Sequence, residues 1–130
     1  MPILLDTSVL IDVLRGRLAA TARVRALRDG ATPPWICVVN VEEVMRGALD
    51  TEEAAVLRFL RGLRLAPVGR AEGERAGRWR RDHARRGITL SQADCLIAAA
   101  AVGVGARLAT GNPRHFPMPE LDVEHWPVGT

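Results

Sequence analysis

Residues 1–16 read MPILLDTSVLIDVLRG, a short apolar run that ends at a carboxylate and continues into a helical pattern. Ile3 to Leu5 are typical of a buried strand. One apolar helix face follows, formed by Val9, Leu10, Val13 and Leu14. Thr7 or Ser8 is the predicted N-cap of this helix. Asp6 stands between the two elements, where an ionised carboxylate beside an apolar sheet is costly unless a partner holds it.

The alternation of short strands and helices continues towards the C-terminus. Further strands are predicted in WICVV (35–39), LRLAPVG (63–69), ARLAT (106–110) and, more weakly, VEHWPV (123–128). The helices between them are predicted to begin near Asn40, at Asp50 or Thr51, and at Ser91. This order predicts a parallel sheet covered by helices on both faces, with ligands bound beyond the carboxyl ends of the strands.

Composition limits the class of protein. The chain has 130 residues and is 48% hydrophobic, so we expect a single domain over residues 1–130. The longest apolar run, 95–102, is too short for a membrane span, and no signal peptide is recognisable. We therefore expect a cytoplasmic protein without membrane contact. Cys37 and Cys95 lie in apolar segments and are predicted to be buried thiols rather than a disulfide or a zinc site.

Positive charge is concentrated in one segment. The net charge is +3, and all 18 basic residues are arginines. Residues 70–86, RAEGERAGRWRRDHARR, contain seven arginines and three acids, which gives this segment a charge of +4. A basic helix can contact nucleic-acid phosphates, but basic residues also commonly form a solvated helix face. The sequence leaves both interpretations open.

Three acids stand at strand ends or helix starts: Asp6, Glu43 and Asp94. Asn112 follows the predicted strand ARLAT in a similar position. Convergent carboxylates raise one another's pKa, and a divalent cation that takes carboxylate oxygens, such as Mg²⁺ or Mn²⁺, relieves that repulsion. Each acid also has an ordinary structural role, since Asp6 could cap a helix, Glu43 could be an exposed first-turn acid, and Asp94 could pair with Ser91 in a capping box.

Four segments together resemble the PIN-domain ribonucleases and, more narrowly, the VapC-type toxins of bacterial toxin–antitoxin pairs. They are LLDTSVLIDVLRG (4–16), VEEVMRGA (41–48), GITLSQADCLIAAAAVGVGARLATGNPRHF (87–116) and VEHWPV (123–128). The resemblance covers nearly the whole chain. It implies a PIN-like three-layer α/β/α sandwich around a mainly parallel sheet of four to five strands.

The resemblance also implies roles for individual residues. Asp6, Glu43 and Asp94 match the metal-binding acids, and together with Asn112 they are the expected catalytic residues. Asn112 stands where the family often has Asp, and this loss of a charge puts a two-metal mechanism in doubt. Asn40 replaces the Ser or Thr that usually lies three residues before the second acid. The residues expected to contact the substrate are Thr110, Arg114 and His115.

The activity implied is Mg²⁺- or Mn²⁺-dependent cleavage of RNA phosphodiesters by activated water. The implied partners are a VapB-type antitoxin and a second copy of the chain, with DNA contacted only through the antitoxin. Leu10, Leu14, Leu18 and Leu49 on the early helices could supply both interfaces, with core packing as the default interpretation of these residues. Two alternatives stay open: a PIN-like protein that binds nucleic acid or a partner without a toxin role, and a housekeeping PIN nuclease.

Two unrelated functions are disfavoured by the residues themselves. A haloacid-dehalogenase-like phosphatase also starts with an Asp after a strand, but its second Asp would fall at Ser8. The glycines in GVG, residues 103–105, end a predicted helix instead of following a strand, which is the wrong context for dinucleotide binding.

Overall fold

The computed structural model describes residues 1–129 and contains five strands and six α-helices, with two α-helices after each of the first three strands. The strands are β1 (Ile3–Leu5), β2 (Trp35–Ile36), β3 (Arg64–Leu65), β4 (Arg107–Thr110) and β5 (Val123–His125). The helices are α1 (Thr7–Leu14), α2 (Leu18–Asp29), α3 (Val38–Gly47), α4 (Glu53–Arg61), α5 (Arg70–Ala84) and α6 (Gln92–Gly103). Short 3₁₀ turns precede α4 and follow β4.

The five strands form one parallel sheet in the order β3-β2-β1-β4-β5. The central strand β1 pairs with β2 on one side and with β4 on the other, so the strand order reverses at β1. Leu5 lies opposite Ala109, and the Asp6 N–H extends this ladder by donating to the Ala109 carbonyl at 2.9 Å. This confirms the predicted parallel sheet and places the end of β1 at a switch in strand order, where α/β folds bind ligands.

Apolar side chains pack against both faces of the sheet, because successive side chains of a strand point to opposite faces. Leu4 and Leu108 belong to the core beneath α5 and α6, which is completed by Trp79, Ile97 and the alanines of α6. Leu5 and Ala109 belong to the second core, completed by residues such as Val24, Val44, Val56 and Leu60 from the early helices. Helices therefore cover both faces, as the α/β/α sandwich requires. None of the helices within residues 1–129 has the length and hydropathy needed to cross a membrane.

Helix α1 is capped by Asp6, as one of the two interpretations of this segment predicted, and not by Thr7 or Ser8. Asp6 has extended backbone angles (φ −70°, ψ 157°), and its side chain accepts a hydrogen bond from the Thr7 N–H at 2.9 Å. A carboxylate is as good an N-cap as a hydroxyl, so cap preference alone could not choose among the three residues. The capping role of Asp6 thus comes in addition to any functional one.

Helix α3 begins earlier than the sequence predicts. The strand predicted over WICVV ends at Ile36, and Val38 is already helical. Asn40 is the third residue of the helix and not its cap, and its side chain accepts from the N–H of the capping residue Cys37 at 2.8 Å. The hydrogen bond outweighs the strand preference of the two valines. Glu43 consequently lies in the second turn of α3 and not the first.

Candidate active site

The Asp6 carboxylate is buried and held by hydrogen bonds from both neighbouring strand ends. Its Oδ1 accepts from the Thr7 N–H, and its Oδ2 accepts from the hydroxyls of Ser8 at 3.1 Å and Thr110 at 2.7 Å. Only 6% of Asp6 is exposed. Burial raises the pKa of Asp6, these hydrogen bonds oppose the rise, and the negative charge of Asp94 adds to it. The site therefore fixes this carboxylate in place while penalising its ionised form.

Glu43 is oriented through a relay that begins in the β2–α3 turn. The Thr7 hydroxyl donates to Glu43 Oε1 at 2.7 Å and accepts from the Asn40 side-chain amide at 3.0 Å. Asn40 is completely buried, and its other side-chain atom accepts from the Cys37 N–H. Because the Thr7 hydroxyl has a single proton, donation from Asn40 leaves that proton directed at Glu43. We call this chain of hydrogen bonds from Asn40 through Thr7 to Glu43 the Asn40 relay.

Asp94 lies in the first turn of α6, as predicted. Ser91 caps the helix by accepting from the Asp94 N–H at 3.0 Å, which confirms Ser91 as the cap. The Asp94 side chain is 25% exposed, and its Oδ2 lies 3.7 Å from His115 Nδ1. Burial raises the pKa of Asp94, the charge of Glu43 raises it further, and His115 opposes the rise. Asp94 therefore interacts electrostatically with both other acids: its charge raises the pKa of Asp6, and the charge of Glu43 raises the pKa of Asp94.

The end of β4 supports Asp6 from the other side. Thr110 is completely buried, and its hydroxyl donates to Asp6 while accepting from the Asn112 N–H at 3.0 Å. The Gly111 N–H donates to the Ser8 hydroxyl at 3.2 Å. In this structure Thr110 orients Asp6 and does not reach the surface, which differs from the expected substrate contact. Asn112 contributes its backbone here, and its side chain is exposed.

Arg114 and His115 lie in the 3₁₀ turn Pro113–His115, directly after Asn112. Both are exposed. Their neighbour Phe116 is buried in the core beneath α5 and α6, so it anchors the turn to the domain. The anchored turn places His115 next to Asp94, at the rim of the acidic site, and leaves the neighbouring Arg114 exposed.

The donor atoms suit a hard divalent cation. Within residues 1–129, no group of three or more His, Cys, Asp or Glu side chains is arranged so that it could hold a metal ion. Mg²⁺ does not need such a set, because it binds through one or two carboxylates and fills its other positions with water and phosphate oxygens. Asp6, Glu43 and Asp94 supply carboxylate oxygens. Burial, and to a smaller extent the neighbouring carboxylates, raise the pKa of Asp6 and of Asp94, and a bound cation would offset this penalty on the ionised forms. The residues present therefore fit Mg²⁺ or Mn²⁺.

The raised pKa values predict how stability depends on pH when divalent cations have been removed. The pKa of Asp6 and of Asp94 lies above 3.8 in the folded protein, so the folded state binds more protons than the unfolded state in the pH range above that value. Stability should consequently fall as pH rises through the raised pKa values. Urea unfolding should show that Asp6→Asn is less sensitive to pH than the wild type as the pH rises from the ordinary aspartate value of 3.8 towards neutrality.

The control for this measurement is Asp29→Asn, which removes an exposed acid at the end of α2. This variant should keep the pH dependence of the wild type. Equal pH dependence of wild type and Asp6→Asn would contradict the account of Asp6 as a carboxylate whose ionised form is penalised by burial.

Comparison with known proteins extends over nearly the whole chain. The family model described as PIN domain matches residues 3–120. Ribonuclease VapC10 of Mycobacterium tuberculosis is 42% identical over 121 residues, which cover 89% of this chain and 86% of the relative. Ribonuclease VapC19 of the same organism is 36% identical over 123 residues, covering 91% and 95%. The structure of VapBC2 from Rickettsia felis bound to a promoter DNA fragment contains a chain with the same fold (TM-score 0.84, 21% identity, 97% and 99% covered).

Proposed function

This chain belongs to the PIN-domain family, and from that premise we propose that it is a divalent-cation-dependent endoribonuclease acting as the toxin of a VapBC-type pair. The observation that carries the proposal is that Thr7 joins Asp6 to Glu43 through two hydrogen bonds at the carboxyl edge of the sheet, while Asp94 at the start of α6 interacts electrostatically with both acids. The names of its relatives support the ribonuclease activity, and a VapBC structure among its structural neighbours supports the toxin role. We place its action in the cytoplasm.

Asp6, Glu43 and Asp94 would hold the Mg²⁺ or Mn²⁺ ion. When bound, such an ion acidifies water and offsets the charge that builds on the phosphate during hydrolysis. Thr110 and Ser8 keep the Asp6 carboxylate in one orientation, so it needs little reorganisation during the reaction. Glu43 has one oxygen held by Thr7, and its second oxygen is the group that we assign to orient the attacking water.

In this proposal, three further predicted residues contact the RNA substrate. Asn112 is exposed beside Thr110, and its side-chain amide can donate or accept hydrogen bonds at the edge of the site. Arg114 and His115 lie on the exposed turn next to Asp94, where they can contact the RNA phosphates on either side of the scissile bond. Because Asn112 carries no charge, the acidic set consists of three carboxylates, which favours one ion over two.

A groove beside the acidic site suits the antitoxin. It has a volume of about 480 Å³ and lies between α1, α3 and α4, and the residues lining it include Ile11, Leu14, Glu43, Val44, Leu49 and Val56. Glu43 thus belongs to both the groove and the proposed catalytic site. We assign the groove to an apolar antitoxin segment that carries a basic residue towards Glu43 and so blocks the cation and the substrate. The same early helices also offer surface for a homodimer.

The surface leucines agree with this assignment except at one position. Leu14, Leu18 and Leu49 are 37%, 81% and 65% exposed. Leu10 is completely buried in the core beneath the early helices, so the default interpretation of core packing holds for it and it supplies no interface surface. It lies one helical turn before Leu14 on the same face of α1, but its side chain is wholly buried in the core.

Leu49→Glu should weaken antitoxin binding by about tenfold or more, because burying a leucine side chain contributes about 1.5–3 kcal/mol. The antitoxin to use is the product of the short reading frame expected directly upstream of the gene for this chain. Binding is measured by isothermal titration, and RNA cleavage by the free toxin variant should stay at the wild-type rate.

The matched control is Leu65→Glu, because Leu65 is similarly exposed (53%) but lies on the edge strand β3, away from the groove. Equal losses of antitoxin affinity in the two variants would contradict the assignment of the groove. Absence of any antitoxin gene beside this one would instead favour a housekeeping PIN nuclease.

A further inference from the structure

The arginine-rich helix α5 has one buried face and one strongly basic face. Its buried residues are Ala76, Trp79 and His83. Arg78, Arg81 and Arg85 recur at intervals of three and four residues on the opposite side, and all three are exposed. This spacing aligns them along one stripe of about 10 Å, given the rise of 1.5 Å per residue. We call these three residues the arginine ladder.

The charge of the ladder is only weakly compensated within the protein. In the described part of the chain, Asp82 is the single carboxylate that pairs with ladder residues, at 3.2 Å from Arg81 and 3.9 Å from Arg85. The side chains of Arg81, Asp82 and Arg85 are each more than half exposed. Exposed ion pairs of this kind contribute about 0–1 kcal/mol, so an incoming anion can displace them readily. Arg78 forms no ion pair among residues 1–129.

The ladder ends at the same edge of the molecule as the acidic site. Helix α5 packs along α6, and the short connection after α5 leads directly to Ser91, which caps α6. Arg80, in the same turn as the ladder, donates to the Leu90 carbonyl at 3.4 Å. Asp94 follows in the first turn of α6, and His115 lies 3.7 Å from it in the same turn of the chain as Arg114. Basic side chains therefore extend from α5 to the rim of the site.

Stabilisation of the helix itself does not account for the whole ladder. Cations in the last turn of a helix interact favourably with its dipole by about 0.3–1 kcal/mol, and this effect falls off within that turn. It applies to Arg81 and Arg85 near the end of α5. Arg78 lies further from the helix end and gains little from the dipole. A ligand that spans the whole stripe explains all three residues, and the matching ligand is a polyanion with regularly spaced charges.

We propose that the arginine ladder binds the phosphate backbone of the substrate RNA at a distance from the scissile bond. This inference rests on the proposed ribonuclease function and adds a second contact region to it. Phosphate contacts of this kind position the nucleic acid and do not read its sequence. The ladder accordingly contributes affinity for long RNA, while the choice of cleavage position belongs to groups near the carboxylates.

The test measures RNA affinity against salt in the Asp6→Asn background, so that the RNA stays intact. The probe is a fluorescein-labelled single-stranded RNA of mixed sequence, and its binding is followed by fluorescence anisotropy from about 50 to about 300 mM salt. Replacing Arg78, Arg81 and Arg85 together by Gln should weaken binding about tenfold or more at physiological salt. The slope of log K against log salt should become shallower by about 2, since each single-strand phosphate contact contributes about 0.7.

Two further variants control for charge. Arg25, Arg58 and Arg61 are exposed arginines on α2 and α4, and replacing all three by Gln removes the same formal charge away from the ladder. In this control variant, the slope of log K against log salt should stay close to that of the protein with an intact ladder. Replacing the ladder by three lysines keeps the charge and should restore both affinity and slope, because positioning contacts to phosphate need a cation but no fixed geometry.

Equal losses of affinity and slope in the ladder and control variants would overturn the inference. It would also be overturned if the ladder variant bound RNA as the control does but sedimented as a different oligomer, since the face would then lie between copies of the chain. RNA cleavage by the wild-type protein distinguishes the ladder inference from the ribonuclease proposal. If that protein cuts RNA while the ladder variant binds normally, only the ladder inference fails. If it cuts no RNA, the ribonuclease proposal fails.

Discussion

Asp6→Asn should reduce the rate of RNA cleavage by about 10²–10⁴-fold. The substitution removes the charge that we assign to cation binding, and a catalytic metal contributes several kcal/mol to transition-state stabilisation, with about 1.4 kcal/mol for each factor of ten. The Asn side-chain oxygen can still accept from the Thr7 N–H, so α1 keeps its cap. The measurement is the single-turnover cleavage rate in Mg²⁺ or Mn²⁺, with the fold checked by circular dichroism.

Asp94→Asn should give a loss of similar size, because it removes a second carboxylate of the same site while Ser91 still caps α6 through its own side chain. The control is Asp29→Asn, which should cleave at the wild-type rate. A folded Asp6→Asn protein that cleaves RNA as fast as the wild type would contradict the assignment of Asp6.

Asn40→Ala should lower the free energy of unfolding by about 2–4 kcal/mol. The substitution leaves the buried Cys37 N–H without its acceptor and removes the donor to Thr7, and an unsatisfied buried group costs about 1–3 kcal/mol, to which the cavity left by the side chain adds. It also frees the Thr7 hydroxyl to turn away from Glu43. Cleavage should therefore slow in the fraction that stays folded. Urea unfolding and single-turnover kinetics measure the two effects.

Two matched variants make this prediction specific. Glu42→Ala changes an exposed residue of the same helix and should alter stability by no more than about 0.5 kcal/mol. Asn40→Ser keeps a hydroxyl that can accept from Cys37 N–H, so its loss of stability should be smaller than that of Asn40→Ala. A stable Asn40→Ala protein with wild-type cleavage would show that the Asn40 relay does not support Glu43.

The positions of Asp6 and Asp94 could be predicted because each depends on local signals. Asp6 directly follows a strand of apolar residues, and the parallel sheet inferred from the strand–helix alternation places such residues at its carboxyl edge. Asp94 follows a Ser cap at the start of a strongly apolar helix. Both signals lie within a few residues of the acid, where pattern reasoning is strongest.

The supporting hydrogen bonds could not be predicted, because they join distant parts of the chain. Thr7 contacts Glu43 across 36 residues, and Thr110 contacts Asp6 across 104 residues. The sequence signal for the Asn40 relay was present, since Asn40 lies one helical turn before Glu43. A cap at Asn40 would direct its side chain to the backbone of its own helix, so that interpretation does not predict the hydrogen bond from Asn40 to Thr7. The β-branched residues Val38 and Val39 likewise favoured a strand where a side-chain hydrogen bond starts a helix.

The most direct test of the central claim is the cation dependence of RNA cleavage by the purified, antitoxin-free protein. The protein is first stripped of divalent cations with a chelator, and the cleavage rate is then measured while Mn²⁺ or Mg²⁺ is added back. We expect cleavage to stop in the chelator, to return with added cation in the wild type, and to stay absent in Asp6→Asn and Asp94→Asn. Cleavage that continues unchanged in the chelator would contradict the claim that these carboxylates form a catalytic cation site.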